Sequence, residues 1–140
     1  MITSAIAAHE ERDVAIIDIP GAFLHAHTDE LIYIILHAPL AELMVMVDPV
    51  LYKNFITYDL KDQALMYVKT NKDLYGMPKS ALQFYLKFCS DIEAYGFKVN
   101  IYDPCVANAD LNAHQMTVTW HVDDLKVYHK DPFEITKFAH

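Results

Sequence analysis

Positive charge is what this sequence has least of. Arg12 is its only arginine, and 11 Lys and Arg stand against 19 Asp and Glu, a formal charge of −8. Nucleic-acid affinity rests mainly on Lys and Arg neutralising phosphates, so the chain by itself should bind a polynucleotide weakly. Cysteine is nearly absent too: Cys89 and Cys105 make neither a metal-spaced pair nor a disulfide framework. That points to a reducing, intracellular setting. No apolar run approaches the roughly 18 residues of a membrane helix, because the longest are broken by Asp, His or Pro. The first residues lack a basic segment followed by an apolar core, so no secretory signal is predicted. What is present is apolar: 54% hydrophobic and 12% aromatic residues over 140 positions. This excludes disorder and suits one domain with a real core.

Read in order, residues 2 to 11 are Ala-rich with helical spacing. Val14-Ala15-Ile16-Ile17-Asp18-Ile19 is a continuous apolar run ended by Pro20-Gly21, the pattern of a buried strand. Asp18 is anomalous there, since a buried carboxylate is costly unless paired or metal-bound. Leu31 to Leu36 and Ala64 to Lys69 read as further strands. Between them, Leu40 to Phe55 has helical spacing interrupted at Asp48-Pro49. The clearest helix is 78–95, with Pro78 in its first turn, Gly96 at its end and one face of Leu82, Tyr85, Leu86, Cys89 and Ile92. Strands follow at 97–101, 104–109, 115–121 and 125–129, with the turn between the second and third at 108–113, and Asp131-Pro132 opens a last helix. The mixture predicts an α+β fold, with helices packed on one face of a sheet.

Thr119 to Val127 holds the pattern on which function turns. Asp123-Asp124 sits between two short alternating strands. An ordinary hairpin uses Asp in this way, and so does a tip that offers carboxylates to a hard cation. Asp18 adds a third carboxylate at the end of an apolar strand. Two neighbouring strands would bring the three together, and such clustering of like charge favours a cation. Paired Mg²⁺ ions on carboxylates are the device polymerases use.

Several blocks carry a resemblance in a fixed order. They are Asp18-Ile-Pro-Gly-Ala-Phe-Leu24, Asp29-Glu-Leu-Ile-Tyr-Ile34, Leu74-Tyr-Gly-Met77, Gly96-Phe-Lys98, Tyr102-Asp-Pro-Cys-Val106 and His121-Val-Asp-Asp124. With them the sequence resembles the reverse transcriptase of Ty1/copia-type LTR retrotransposons, from about residue 5 to the C-terminus. The resemblance implies an RNA-directed DNA polymerase domain over 1–140, a palm-like antiparallel sheet with incomplete fingers and no thumb. It implies two-metal nucleotidyl transfer to a primer 3′-hydroxyl, with Asp18, Asp123 and Asp124 catalytic. Those three and the Ile19 carbonyl would hold Mg²⁺ or Mn²⁺. Phe23 and Lys79 would meet the nucleotide, and Tyr75 and Gly76 the nucleic acid. Partners would be an RNA or DNA template-primer and a deoxynucleoside triphosphate, with no membrane. The setting would be cytoplasm, virus-like particle or nucleus.

The sequence also departs from the family. Lys79 replaces a usual Gln, Ala81-Leu82 replaces Pro-Arg, and His121 replaces Tyr. Lys can still meet phosphate, but only as a point charge. His121 reads as a packed strand histidine rather than a ligand, and Phe23 alone equally suits a core position. Upstream fingers and a downstream thumb fall outside the sequence, so the chain alone is expected to be inactive. The alternative is a non-enzymatic relic of a decayed element. An unrelated metal-dependent phosphohydrolase would leave the Leu-Tyr-Gly and Tyr-Asp-Pro-Cys blocks unexplained.

Overall fold

The period-two patterning of the second half and the helical spacing around it produce, in a computed structural model, two antiparallel sheets and six α-helices among the described residues. The structure describes residues 2–28 and 30–139. Asp29, in the acidic stretch quoted above, lies outside the described residues. In chain order the elements are α1 (Ile2–His9), β1 (Asp13–Asp18), α2 (Ala22–His25), β2 (Tyr33–His37), α3 (Ala38–Val47) and α4 (Pro49–Tyr52). After a short 3₁₀ turn come β3 (Ile56–Tyr58), β4 (Ala64–Lys69), α5 (Ser80–Ala94), β5 (Lys98–Val99), β6 (Val106–Leu111), β7 (His114–His121), β8 (Asp124–His129) and α6 (Pro132–Phe138). The chain divides into two compact units, His27–Lys72 and the remainder, Met1–Ala26 with Asp73–His140.

The larger unit is built on a five-stranded sheet in the order β1-β8-β7-β6-β5. Its core follows from alternation. Met116, Val118 and Trp120 of β7 and Leu125 and Val127 of β8 point to one face, where Ile92 and Phe97, around the end of α5, and Ile135 of α6 close over them. Burying each such side chain is worth about 1.5–3 kcal/mol. The opposite face is not empty of helix, as the sequence reading had it. Tyr128, alternating with Val127, meets the α1 hydroxyl of Ser4 at 2.9 Å, so α1 lies on the other side from α5 and α6.

Three further expectations are corrected. β1 is an edge strand rather than a buried one. Ala15 and Ile17 pack on the core, while Val14 and Ile16 are exposed. An apolar run alone cannot distinguish the two positions. The buried face of α5 is rotated, with Phe84, Tyr85, Phe88, Cys89 and Ile92 inward and Leu82 and Leu86 exposed. The larger aromatic stripe at the same spacing wins the core. Pro78 precedes α5 instead of lying in its first turn, because Met77 and Ser80 amides close tight turns onto Leu74 and Met77 carbonyls.

The smaller unit carries a three-stranded sheet in the order β2-β4-β3, with Met66 and Ala64 of β4 and Ala41 of α3 buried. The helix break expected at Asp48-Pro49 is present. Asp48 ends α3 and accepts the Leu51 amide at 3.0 Å to cap α4. Strand β3 and the single turn α2 were not foreseen.

Candidate active site

All residues singled out for chemistry belong to the larger unit. β1 and β8 run antiparallel with Asp18 directly opposite Asp124. One residue on, the Ile19 amide donates to the Asp123 carbonyl at 3.0 Å. The strand end and the hairpin tip are therefore tied backbone to backbone. Ile17 and Ile19 pack on the core, which turns Asp18 to the open face with Asp124. Both are exposed, so the cost feared for a buried carboxylate does not arise.

The β7–β8 loop has only two residues, Val122 and Asp123, and Val122 has φ 57°. Positive φ at the first loop position is the pattern of a type II′ turn, where Gly is usual. A β-branched side chain there is strained by on the order of 1–3 kcal/mol. The two-residue turn and the Ile19 hydrogen bond to its carbonyl set where Asp123 is presented.

Tyr75 completes this corner. Its hydroxyl donates to Asp123 Oδ2 at 3.4 Å. Desolvation, then the negative charge and hydrogen bond of Asp123 and the charge of Asp18, raise the Tyr75 phenol above its ordinary value. Behind it an aromatic chain runs into the core. Phe23 lies 4.5 Å from Tyr75 between ring centroids and 6.1 Å from Phe84, and Phe88 bridges onward to Trp120 at 5.0 Å. Phe23 is held in place by Gly21, whose φ of 63° opens α2. A Cβ there would also meet Leu24 Cδ1 at 3.3 Å.

Gly76 takes φ 91° in the loop before α5, a conformation that favours glycine. Lys79 occupies the N-cap position of α5 with an exposed side chain, its carbonyl accepting the Gln83 amide at 2.9 Å. Two residues of this loop were missed by the sequence reading. Ser80, buried, donates to the Leu74 carbonyl at 2.7 Å and so anchors the Leu74-Tyr75-Gly76 turn to the helix. Asp73, also buried, keeps one carboxylate oxygen without a hydrogen-bond partner. The only sequence signal for either was position beside the Leu-Tyr-Gly block. His121 is exposed and paired in register with Asp124, not packed as expected. Arg12 is structural: it binds Glu10 at 2.6 Å and Thr117 at 3.1 Å, joining the α1–β1 connection to β7.

No group of three or more His, Cys, Asp or Glu among the described residues is arranged to hold a metal ion. The donor types nevertheless suit a hard cation, which takes oxygen ligands. Two carboxylates face each other across the ladder, and a third at the tip is held by a neutral phenol. In class, this is a carboxylate-tipped hairpin docked against a strand-end Asp, in a mixed α+β chain.

Comparison with known proteins adds an origin. Over 134 residues, 95% of the chain, it is 27% identical to the Retrovirus-related Pol polyprotein from transposon TNT 1-94 of Nicotiana tabacum. The chain spans 9% of that relative's length. The similarity supports a retrotransposon-related origin, in keeping with the Ty1/copia resemblance. No family model and no solved structure matches. Among the described residues, no helix is long and apolar enough to cross a membrane.

Proposed function

We propose that the chain is the palm, with part of the fingers, of a Ty1/copia-type reverse transcriptase. The observation that carries this reading is the register of β1 with β8, which puts Asp18 opposite Asp124 and ties Ile19 to Asp123. Two of the three Asp residues that the ordered sequence blocks single out, Asp18 and Asp124, are cross-strand partners, and Asp123 is the turn residue next to Asp124. Asp18 and Asp124, with Asp123 once its carboxylate leaves Tyr75, would hold Mg²⁺ or Mn²⁺, and the Ile19 carbonyl lies beside them in the chain. A bound cation of this kind activates a hydroxyl nucleophile and steadies a leaving pyrophosphate. Phe23 stands next to Tyr75, where an aromatic face can support a sugar. Lys79 is exposed at the N-cap of α5, where an ammonium can meet a phosphate. Tyr75 and Gly76 form the turn beside the carboxylates, where a template-primer would pass.

Primer extension on an RNA template, with a deoxynucleoside triphosphate and Mg²⁺, tests the reading. The comparison is Asp123→Asn against the unaltered protein in its natural polypeptide context. Extension abolished by the substitution is expected. The chain alone should extend poorly, since its charge of −8 leaves the duplex weakly held. The second reading is a relic without activity. Absence of extension in the full polypeptide, with all three aspartates intact, would establish the relic and reject the polymerase.

A further inference from the structure

The open face of the five-stranded sheet carries a second polar cluster, two residues along β8 from Asp124. Lys126 and Tyr128 point away from the core on that face, Thr119 stands in register with Lys126, and α1 lies over one side. Together they line a groove of about 580 Å³ that also reaches Asp103 and Cys105. Lys126 is half-buried. Its ammonium meets the Ser4 hydroxyl at 3.3 Å and stands 5.4 Å from the Tyr128 ring centroid. No carboxylate among the described residues forms an ion pair with it. Ser4 and Tyr128 hydroxyls are joined at 2.9 Å, so the three polar ends converge.

Charges withdrawn from water are ordinarily paired. Here, among the described residues, the partners of Lys126 are the Ser4 hydroxyl and the phenol and ring of Tyr128 rather than a carboxylate, in a chain whose net charge is −8. Burial pushes the Tyr128 phenol up, but hydrogen bonds with Ser4, Thr3 and Lys126 and the charge of Lys126 outweigh it and leave it below its ordinary value. The cluster thus already favours negative charge. An ammonium beside a hydroxyl pair, in which one hydroxyl donates to the other and one proton stays free, can donate to a phosphate oxygen. We propose that this groove binds a phosphate group through Lys126, Ser4 and Tyr128. Asp103 at the rim is exposed, its carboxylate accepting the Cys105 amide at 3.0 Å. It disfavours polyphosphates and leaves a single phosphate, free or within a nucleotide chain, as the ligand.

The proposal does not rest on the polymerase reading, and it is tested in EDTA so that no cation contributes. Titration calorimetry in chloride buffer is run with inorganic phosphate, a deoxynucleoside monophosphate and a short single-stranded oligonucleotide. The proteins are wild type, Lys126→Met, Ser4→Ala and, as a control on a distant exposed lysine, Lys98→Met. Saturable binding weakened at least about tenfold by Lys126→Met, several-fold by Ser4→Ala and not by Lys98→Met is expected. Binding confined to the oligonucleotide makes a backbone phosphate the source, and binding of the two small probes makes it a free phosphate. Circular dichroism melting verifies that each variant is folded. Should Lys126→Met not fold, Ser4→Ala carries the decision. No saturable binding by wild type, or binding unchanged in Lys126→Met or, failing that, in Ser4→Ala, overturns the proposal.

Discussion

Asp18 and Asp124 face each other across the β1–β8 ladder with both side chains exposed, and that pair makes a sharp prediction. Opposed residues have Cβ atoms about 4.5–5.5 Å apart, and like charges in that position destabilise a sheet by up to about 1 kcal/mol. Two carboxylates roughly 6 Å apart in water repel by about 0.7 kcal/mol. Asp124→Asn keeps the shape and removes the repulsion. The variant should gain about 0.5–1 kcal/mol and melt roughly 2–4 °C higher at low salt. In 1 M NaCl, where the screening length falls to about 3 Å, the gain should shrink towards zero. Under the proposed function, Mg²⁺ relieves the same repulsion. At ten times its dissociation constant it would stabilise the wild type by about 1.4 kcal/mol and leave Asp124→Asn unmoved. Melting curves with and without Mg²⁺ decide both points. A variant less stable than wild type at low salt would refute the like-charge pairing. Equal Mg²⁺ stabilisation of both proteins would place the cation elsewhere.

Three other outcomes are expected. The β6–β7 turn is Asn112-Ala113, with φ 48° and 62°, the pattern of a type I′ turn that prefers Gly second. Ala113→Gly should therefore stabilise by about 1 kcal/mol in urea unfolding. His129 is fully buried, with Nδ1 accepting the Asp131 amide at 3.0 Å. Nε2 therefore carries the proton and donates to the Leu111 and His114 carbonyls at 3.2 and 3.3 Å. His129→Phe strands these groups and should cost about 2–4 kcal/mol in the same measurement. The third outcome concerns pH. Because the Tyr75 phenol lies above its ordinary value in the folded protein, its stabilising effect is complete below the ordinary tyrosine range. It is lost as pH rises through the folded value. Tyr75→Phe should remove one late-titrating phenol from the ultraviolet titration. Loss of an early-titrating one instead would contradict the contact with Asp123.

Local rules reached far into this molecule. Alternation located β7 and β8 to within a residue, and β4 was found with its observed bounds. β6 was placed two residues early and its turn drawn too wide, since 108–111 pair with β7 and only Asn112-Ala113 turn. Asp48-Pro49 announced the α3–α4 break because a capping carboxylate and a fixed φ act within a few residues. The Asp123-Asp124 hairpin was legible for the same reason: a two-residue turn between alternating strands is a short-range object. β3, only three residues long, gives too few alternations to register. The α2 turn depends on the left-handed conformation of Gly21, which the letters Pro-Gly signal only as a break. Leu82 and Leu86 were misplaced because spacing fixes a stripe but not which of two adjacent stripes faces the sheet.

By itself, then, the sequence determined the carboxylate types, the α+β mixture, the acidic balance and the order of the blocks. These are properties of composition and near neighbours. Tertiary structure decided that β1 lies at the sheet edge, so that Asp18 is exposed rather than a buried cost. It decided that Tyr75 holds Asp123, and that Lys126 meets a serine 122 positions away. Each of these depends on which strands pair and which face a helix covers. Pairing over such separations is set by the shared core, not by the residues that end up touching.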